Sequence, residues 1–225
     1  MNIVNHLIYH LHIPLPPLTA VFYEYITCAN GIFVRAENDI LRACLPVVLH
    51  RRGGKAISGL QEMVTHIEWK LPKVPITLLH QMSTHAKQHR DEHGGLIEQL
   101  YHIRWHLTEQ KYALHIPAQH TGRAFATSEA TETPTGYLTI ADFHSHGDMD
   151  AYFSPTDDRD EKRFRCYGVL GCLNSANPAI VLRLGIYGHW IRVGYKDFFT
   201  PAAVPNSHPS FRDPTEAGTW RQPWT

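Results

Sequence analysis

The chain carries no excess of either charge. Its 21 Lys and Arg balance 21 Asp and Glu, so the basic footprint of a nucleic-acid or anionic-membrane binder is missing. No apolar run is long enough to span a bilayer. The first residues have no basic n-region, and their apolar content is broken by His6, His10, His12 and Pro14, so no secretory signal is read there. Cysteine is scarce: four residues, at 28, 44, 166 and 172, without a C-x-x-C spacing. They read as reduced thiols, and a cytoplasmic protein is expected. The one basic cluster, Arg51-Arg-Gly-Gly-Lys55, is broken by glycines and reads as a solvated hairpin tip.

Histidine is abundant, at 17 of 225 residues. Two of them close the stretch around which the rest is organised. Tyr137 to Phe143 is β-prone and mostly apolar, as a buried strand is. Strand side chains alternate with period 2, so His144 and His146 leave its carboxyl end on one side and Ser145 on the other. Ser145 is therefore assigned to packing or to supporting the site. Downstream, Ser154-Pro155-Thr156-Asp157 is a good helix start, with Ser as N-cap and Pro at N1. Capping accounts for Ser154 and Asp157 alone but not for His-x-His at the end of a buried strand. A capped helix is also a rigid mount for a ligand. Two imidazoles and a carboxylate form a three-ligand set suited to a catalytic zinc, with a fourth position open to water.

Three metal-dependent families share a His-x-His start. The metallo-β-lactamase pattern fits His144, His146 and Asp148, then meets Met149 where a further imidazole is needed. The PHP phosphoesterase pattern fits Asp142-Phe-His-Ser-His146 but needs many later ligands. His144-Ser-His146, seven residues, Ser154, two residues, Asp157 resembles the JAMM motif of the JAB/MPN metallopeptidases. That family also has an upstream glutamate in a Glu-x-x-Gly-Leu run, which Glu92-His-Gly-Gly95-Leu96 resembles; Glu98 is the competing carboxylate. The chain departs from the family at Gly147, where Pro is usual, and at Ala141, where Gly is frequent. The resemblance implies one Zn2+ per chain on His144, His146 and Asp157, Glu92 as general base, and Ser154 as hydrogen-bond donor to the oxyanion. It implies hydrolysis of the amide that follows a ubiquitin-like tail, by a peptidase or isopeptidase. A catalytically silent MPN scaffold and a PHP-like phosphoesterase are the alternatives.

The expected fold class is α+β: an MPN-type mixed sheet flanked by helices, preceded by a small β-rich N-terminal domain. Residues 1–18 read as an extended entry segment. Val21–Cys28 and Ile32–Ala36 read as a hairpin across Ala29-Asn-Gly31. Leu41–His50 and Ala56–Leu60 suggest a second pair across Gly53-Gly54, and Gln61–Leu71 a strand or short helix. Pro72-Lys-Val-Pro75 interrupts regular structure, giving domains at 1–74, 75–195 and a Pro- and aromatic-rich tail at 196–225. Residues 76–90 read as an amphipathic helix with Ile76, Leu79, Met82 and Ala86 inward; His85 and His89 on it read as surface histidines. Strands are expected at Leu96–Trp105, Lys111–Ile116, Cys166–Cys172, Ala179–Leu184 and Tyr187–Val193. Pro117–Gly136 reads as a loop bordering the cleft. The helix from Asp157 is expected to reach about Arg165. The tail's Phe198, Phe199, Phe211, Trp220 and Trp224 are too apolar for solvation and suggest docking.

The β-rich first part and the overall layout resemble a narrower JAB-type family, the A proteins of PRTRC systems on bacterial plasmids and integrative elements. Such systems are associated with ubiquitin-like and E1-like (ThiF) proteins, which implies partners of those classes.

Overall fold

A computed structural model of the chain describes residues 2–50, 55–128, 133–201 and 210–214. The expectations for Gly53-Gly54, Trp220 and Trp224 lie outside these residues. Two compact units emerge. One gathers residues 1–72 with 162–164 and 185–191; the other holds 73–161, 165–184 and the described part of 192–225.

The first unit is built on a five-stranded sheet of β1 (Val4–Ile8), β2 (Tyr23–Cys28), β3 (Gly31–Glu37), β4 (Leu41–Leu49) and β5 (His66–Trp69), in that order. The expected hairpin is present, closed by the two-residue turn Ala29-Asn30. The entry segment is a strand instead: β1 pairs in parallel with β2, Val4 opposite Tyr23. Ala56–Leu60 is not a strand, and β4 pairs with β5. Further on, the Met63 backbone is satisfied by a side chain rather than a ladder. Asn30 donates to the Met63 carbonyl at 2.8 Å and accepts from the Met63 N–H at 3.0 Å, as short amide side chains do when they compete with regular pairing. Ile26, Phe33, Val34, Leu41 and Leu45 form the core. Glu24 is buried with them and paired to Arg35 at 2.5 Å. Burial raises its pKa, but hydrogen bonds from the Thr19 backbone, Asn5 and Arg35 outweigh that and hold it at about 2.

The second unit carries α1 (Ile76–Gln88) and then β6 (Leu100–His106), β7 (Lys111–His115), β8 (Gln119–Thr121), β9 (Ala126–Ser128) and β10 (Tyr137–Ser145). After α2 (Pro155–Asp160) come β11 (Arg165–Gly171), β12 (Ala179–Ile186), β13 (His189–Val193) and α3 (Tyr195–Phe198), with the end of β12 and the first part of β13 counted in the first unit. The sheet runs β13-β12-β11-β10-β6-β7 and is mixed: β10 pairs in parallel with β11 and antiparallel with β6. β8 and β9 form a separate hairpin where a loop was expected. Leu79, Met82 and Ala86 of α1 are fully buried. They belong to the same core as Tyr101, Ile103, Phe143 and Leu170, all inward positions of the strands.

Two expectations need correction. Helix α2 stops at Asp160, because Arg165 opens β11 and is drawn to Asp142 on β10 at 2.9 Å. The strand expected from Leu96 starts only at Leu100. The tail docks where it is described: Phe198, Phe199 and Phe211 are buried, and Arg212 forms a parallel bridge with Ala179. Among the described residues no helix is long and apolar enough to cross a membrane.

Candidate metal centre

β10 delivers His144 and His146, and α2 delivers Asp157. One ligand atom from each lies within 4.8 Å of the others. The two imidazoles meet Nε2 to Nε2 at 3.0 Å, and His144 Nε2 is 3.5 Å from Asp157 Oδ1. His146 and Asp157 are held from behind. His146 Nδ1 lies 3.1 Å from the Asp150 carbonyl, which can only accept; Nδ1 therefore carries the proton and Nε2 presents its lone pair inward. Asp157 is fixed by a complete capping box. Its Oδ2 accepts from the Ser154 N–H at 2.6 Å, and its own N–H donates to Ser154 Oγ at 3.3 Å. Oδ1 is left facing the histidines. The capping role and the ligand role of the Ser154–Asp157 turn thus coexist.

Burial pushes the His144 imidazole down to about 4; Asp157 opposes this, while His146 and Arg183 add to it. His146 is also lowered, by burial above all, against the pull of the Asp150 carbonyl and Asp157. Both shifts favour the neutral imidazole, the form a metal needs. Two imidazole nitrogens and one carboxylate oxygen converging within 4.8 Å fit a zinc ion.

The structure does not bring Glu92 into this group. Asp91 organises the turn: its carboxylate accepts from the His93 and Gly95 N–H groups at 3.0 and 2.8 Å and pairs with Arg123. Glu92 is left on the outside, its side chain 86% exposed beside His93. A second carboxylate, Glu98, lies close enough to feel the charge of Asp157. β10 and β6 pair His144 with Leu100, and the run continues through Ser145, whose N–H donates to the Gln99 carbonyl at 3.0 Å. Ser145 Oγ accepts the Gln99 N–H at 3.0 Å. One step further along is Glu98, whose N–H donates to the Gly122 carbonyl at 2.8 Å. It is buried, and that burial together with the charge of Asp157 pushes its carboxyl up to about 7. Ser145, on the face away from the histidines, therefore ties down the segment that carries Glu98.

Asp142, the extra ligand of the phosphoesterase pattern, is engaged elsewhere. It binds His102 at 2.7 Å and Arg165 at 2.9 and 3.1 Å. Gly147, where the JAMM pattern usually has proline, sits at φ 57°, which a pyrrolidine ring cannot adopt. A Cβ there would come within 2.9 Å of Leu96 Cβ. His85 and His89 stack on each other at 4.1 Å, His85 against the Tyr101 hydroxyl at 3.0 Å; no acidic or further histidine ligand joins them among the described residues.

Residues 75–183 match the family model described as prokaryotic homologs of the JAB domain. The matched segment is just under half of the chain and contains His144, His146, Ser154, Asp157 and Glu98. The match supports a JAB/MPN domain in this part. No curated protein matches the chain.

Proposed function

We propose that the JAB-type segment, residues 75–183, is a zinc-dependent peptidase or isopeptidase. The observation that carries this reading is the convergence of His144, His146 and Asp157, with a buried carboxylate, Glu98, close enough to feel the charge of Asp157. Zinc, when bound by those three side chains, supplies the Lewis acidity that acidifies a water molecule and polarises a carbonyl.

The chain's own groups do the rest. Glu98 takes the proton of the attacking water and returns it to the leaving amine. A carboxyl poised near neutrality suits both transfers. Ser154 Oγ accepts from the Asp157 N–H, so its own hydroxyl hydrogen is free to donate to the oxyanion. Asp150 holds the His146 tautomer, and Ser145 holds the Glu98 segment. The engagement of Asp142 by His102 and Arg165 disfavours the phosphoesterase alternative.

The substrate class proposed is an extended C-terminal tail of a ubiquitin-like protein, often ending in Gly-Gly, or its lysine conjugate. The β8–β9 hairpin supports this. Gly122 at its tip accepts the Glu98 N–H at 2.8 Å, and the hairpin presents an exposed Phe125. A two-stranded hairpin has free edges on which an extended peptide can pair. Glycines lack the Cβ atoms that would hinder a narrow approach. The E1-like (ThiF) class and the PRTRC-type context are part of the same proposal.

The test is to incubate zinc-loaded protein with C-terminally extended and lysine-conjugated forms of a ubiquitin-like protein encoded beside it. Products are read by intact mass, with Glu98→Gln as control. Cleavage at the tail, lost in the control, is expected. No cleavage of either form by protein of confirmed zinc content would favour the scaffold reading.

A further inference from the structure

Helix α2 carries the metal ligand Asp157 yet has only six residues and buries none of them. A helix so short is not stable in isolation, and apolar packing does not hold this one. What holds it is Arg183, a central residue of β12 that is 7% exposed. Its Nε donates to Glu161 Oε2 at 2.6 Å and its NH1 to Asp158 Oδ1 at 2.6 Å. The guanidinium also lies over the Phe153 ring at 4.0 Å. Phe153 and Asp158 flank the Ser154–Asp157 turn, and Glu161 caps the helix's far end. One rigid fork thus pins α2 from both sides of the ligand.

We propose that Arg183 is a positioning residue for the metal: it sets the Asp157 carboxylate against His144 and His146 through Asp158, Glu161 and Phe153. The inference rests on the zinc reading above. The sign of its effect separates positioning from charge. Arg183 is a cation bound to the carboxylates of the helix that carries Asp157, so on charge alone its removal would tighten the binding of a cation. As a positioning residue, its removal weakens that binding. Lysine offers one point charge in place of a planar fork and cannot reproduce both hydrogen bonds.

The experiment uses the full chain. Zinc affinity is measured by competition with a chromophoric chelator for wild type, Arg183→Met, Arg183→Lys and Asp158→Asn. The visible spectrum of the cobalt-substituted proteins reports ligand geometry. Thermal unfolding of the metal-free proteins reports folding separately. Arg183→Met is expected to bind zinc roughly 10- to 100-fold more weakly, the usual effect of losing a residue that orients a ligand, with an altered cobalt spectrum. Arg183→Lys should recover part of the loss. Asp158→Asn, which alters only a half-exposed partner, should show a smaller loss in the same direction and keeps the test valid if Arg183→Met does not fold. Unchanged or tighter zinc binding in the folded variants, with only the unfolding temperature lowered, overturns the proposal. A wild-type chain that takes up no zinc overturns the zinc reading as well; a wild type that binds beside unaffected variants overturns this one alone.

Discussion

Glu98→Gln turns a buried carboxyl into an amide of nearly the same shape, and the metal-free protein should answer with a pH-dependent gain in stability. In the unfolded chain the Glu98 carboxyl titrates at the ordinary 4.5; in the fold, burial and Asp157 raise it to about 7. The folded state therefore holds a proton that the unfolded state has already lost, and between these pH values wild-type stability falls as pH rises. At 1.36 kcal/mol per unit the full penalty is about 3 kcal/mol above pH 7, and partial water access brings it to roughly 1–3 kcal/mol. The amide of the variant does not titrate. Urea unfolding of both proteins with chelator present, at pH 4.5 and pH 8, should show the variant gaining by that amount at the higher pH. The titrations of His144, His146 and Glu161 are common to both proteins and cancel in the difference. With zinc restored, the same variant should lose hydrolysis by about 10²- to 10⁴-fold, the usual contribution of a general base. Glu92→Gln should change neither measurement. A stability difference between wild type and Glu98→Gln that is flat with pH, or full turnover in the variant, would refute the assignment.

Three further outcomes follow from the same geometry. Ser154→Ala removes the acceptor of the Asp157 N–H and should cost about 1 kcal/mol in metal-free unfolding; zinc should still bind, with kcat reduced more than KM. Asp142→Asn leaves His102 and Arg165 without their carboxylate and should destabilise the fold by about 3–5 kcal/mol, while zinc stoichiometry, measured by elemental analysis, stays at one; loss of the metal would make Asp142 a ligand after all. Gly147→Ala forces a side chain into positive φ and against Leu96, so it should destabilise by about 1–3 kcal/mol and weaken zinc binding in a chelator titration.

The sequence by itself determined the elements whose signal is local. Period-2 alternation in Tyr137–Phe143 placed His144 and His146 together at a strand's end. The cap residues Ser154 and Pro155 started a helix that carries Asp157 in its first turn. Helical spacing of Leu79, Met82 and Ala86 defined the buried face of α1, and Ala29-Asn30 closed the first hairpin. Tertiary structure decided what depends on partners distant in the chain. Glu92 and Glu98 are both near glycines and apolar residues in sequence. Only the closure of the turn by Asp91, and the packing of the run that leads into β6, put one in solvent and the other in the interior within reach of the charge of Asp157. The β8–β9 hairpin has no alternating apolar pattern because much of it is exposed. Strand β1 owes its existence to a parallel partner 19 residues away. In the sequence nothing singles out Arg183 within its apolar strand, because its partners Asp158 and Glu161 are 25 and 22 residues earlier. Local periodicity reports which face is buried; it carries no information on which buried charge meets which, and that is settled only when the sheet assembles.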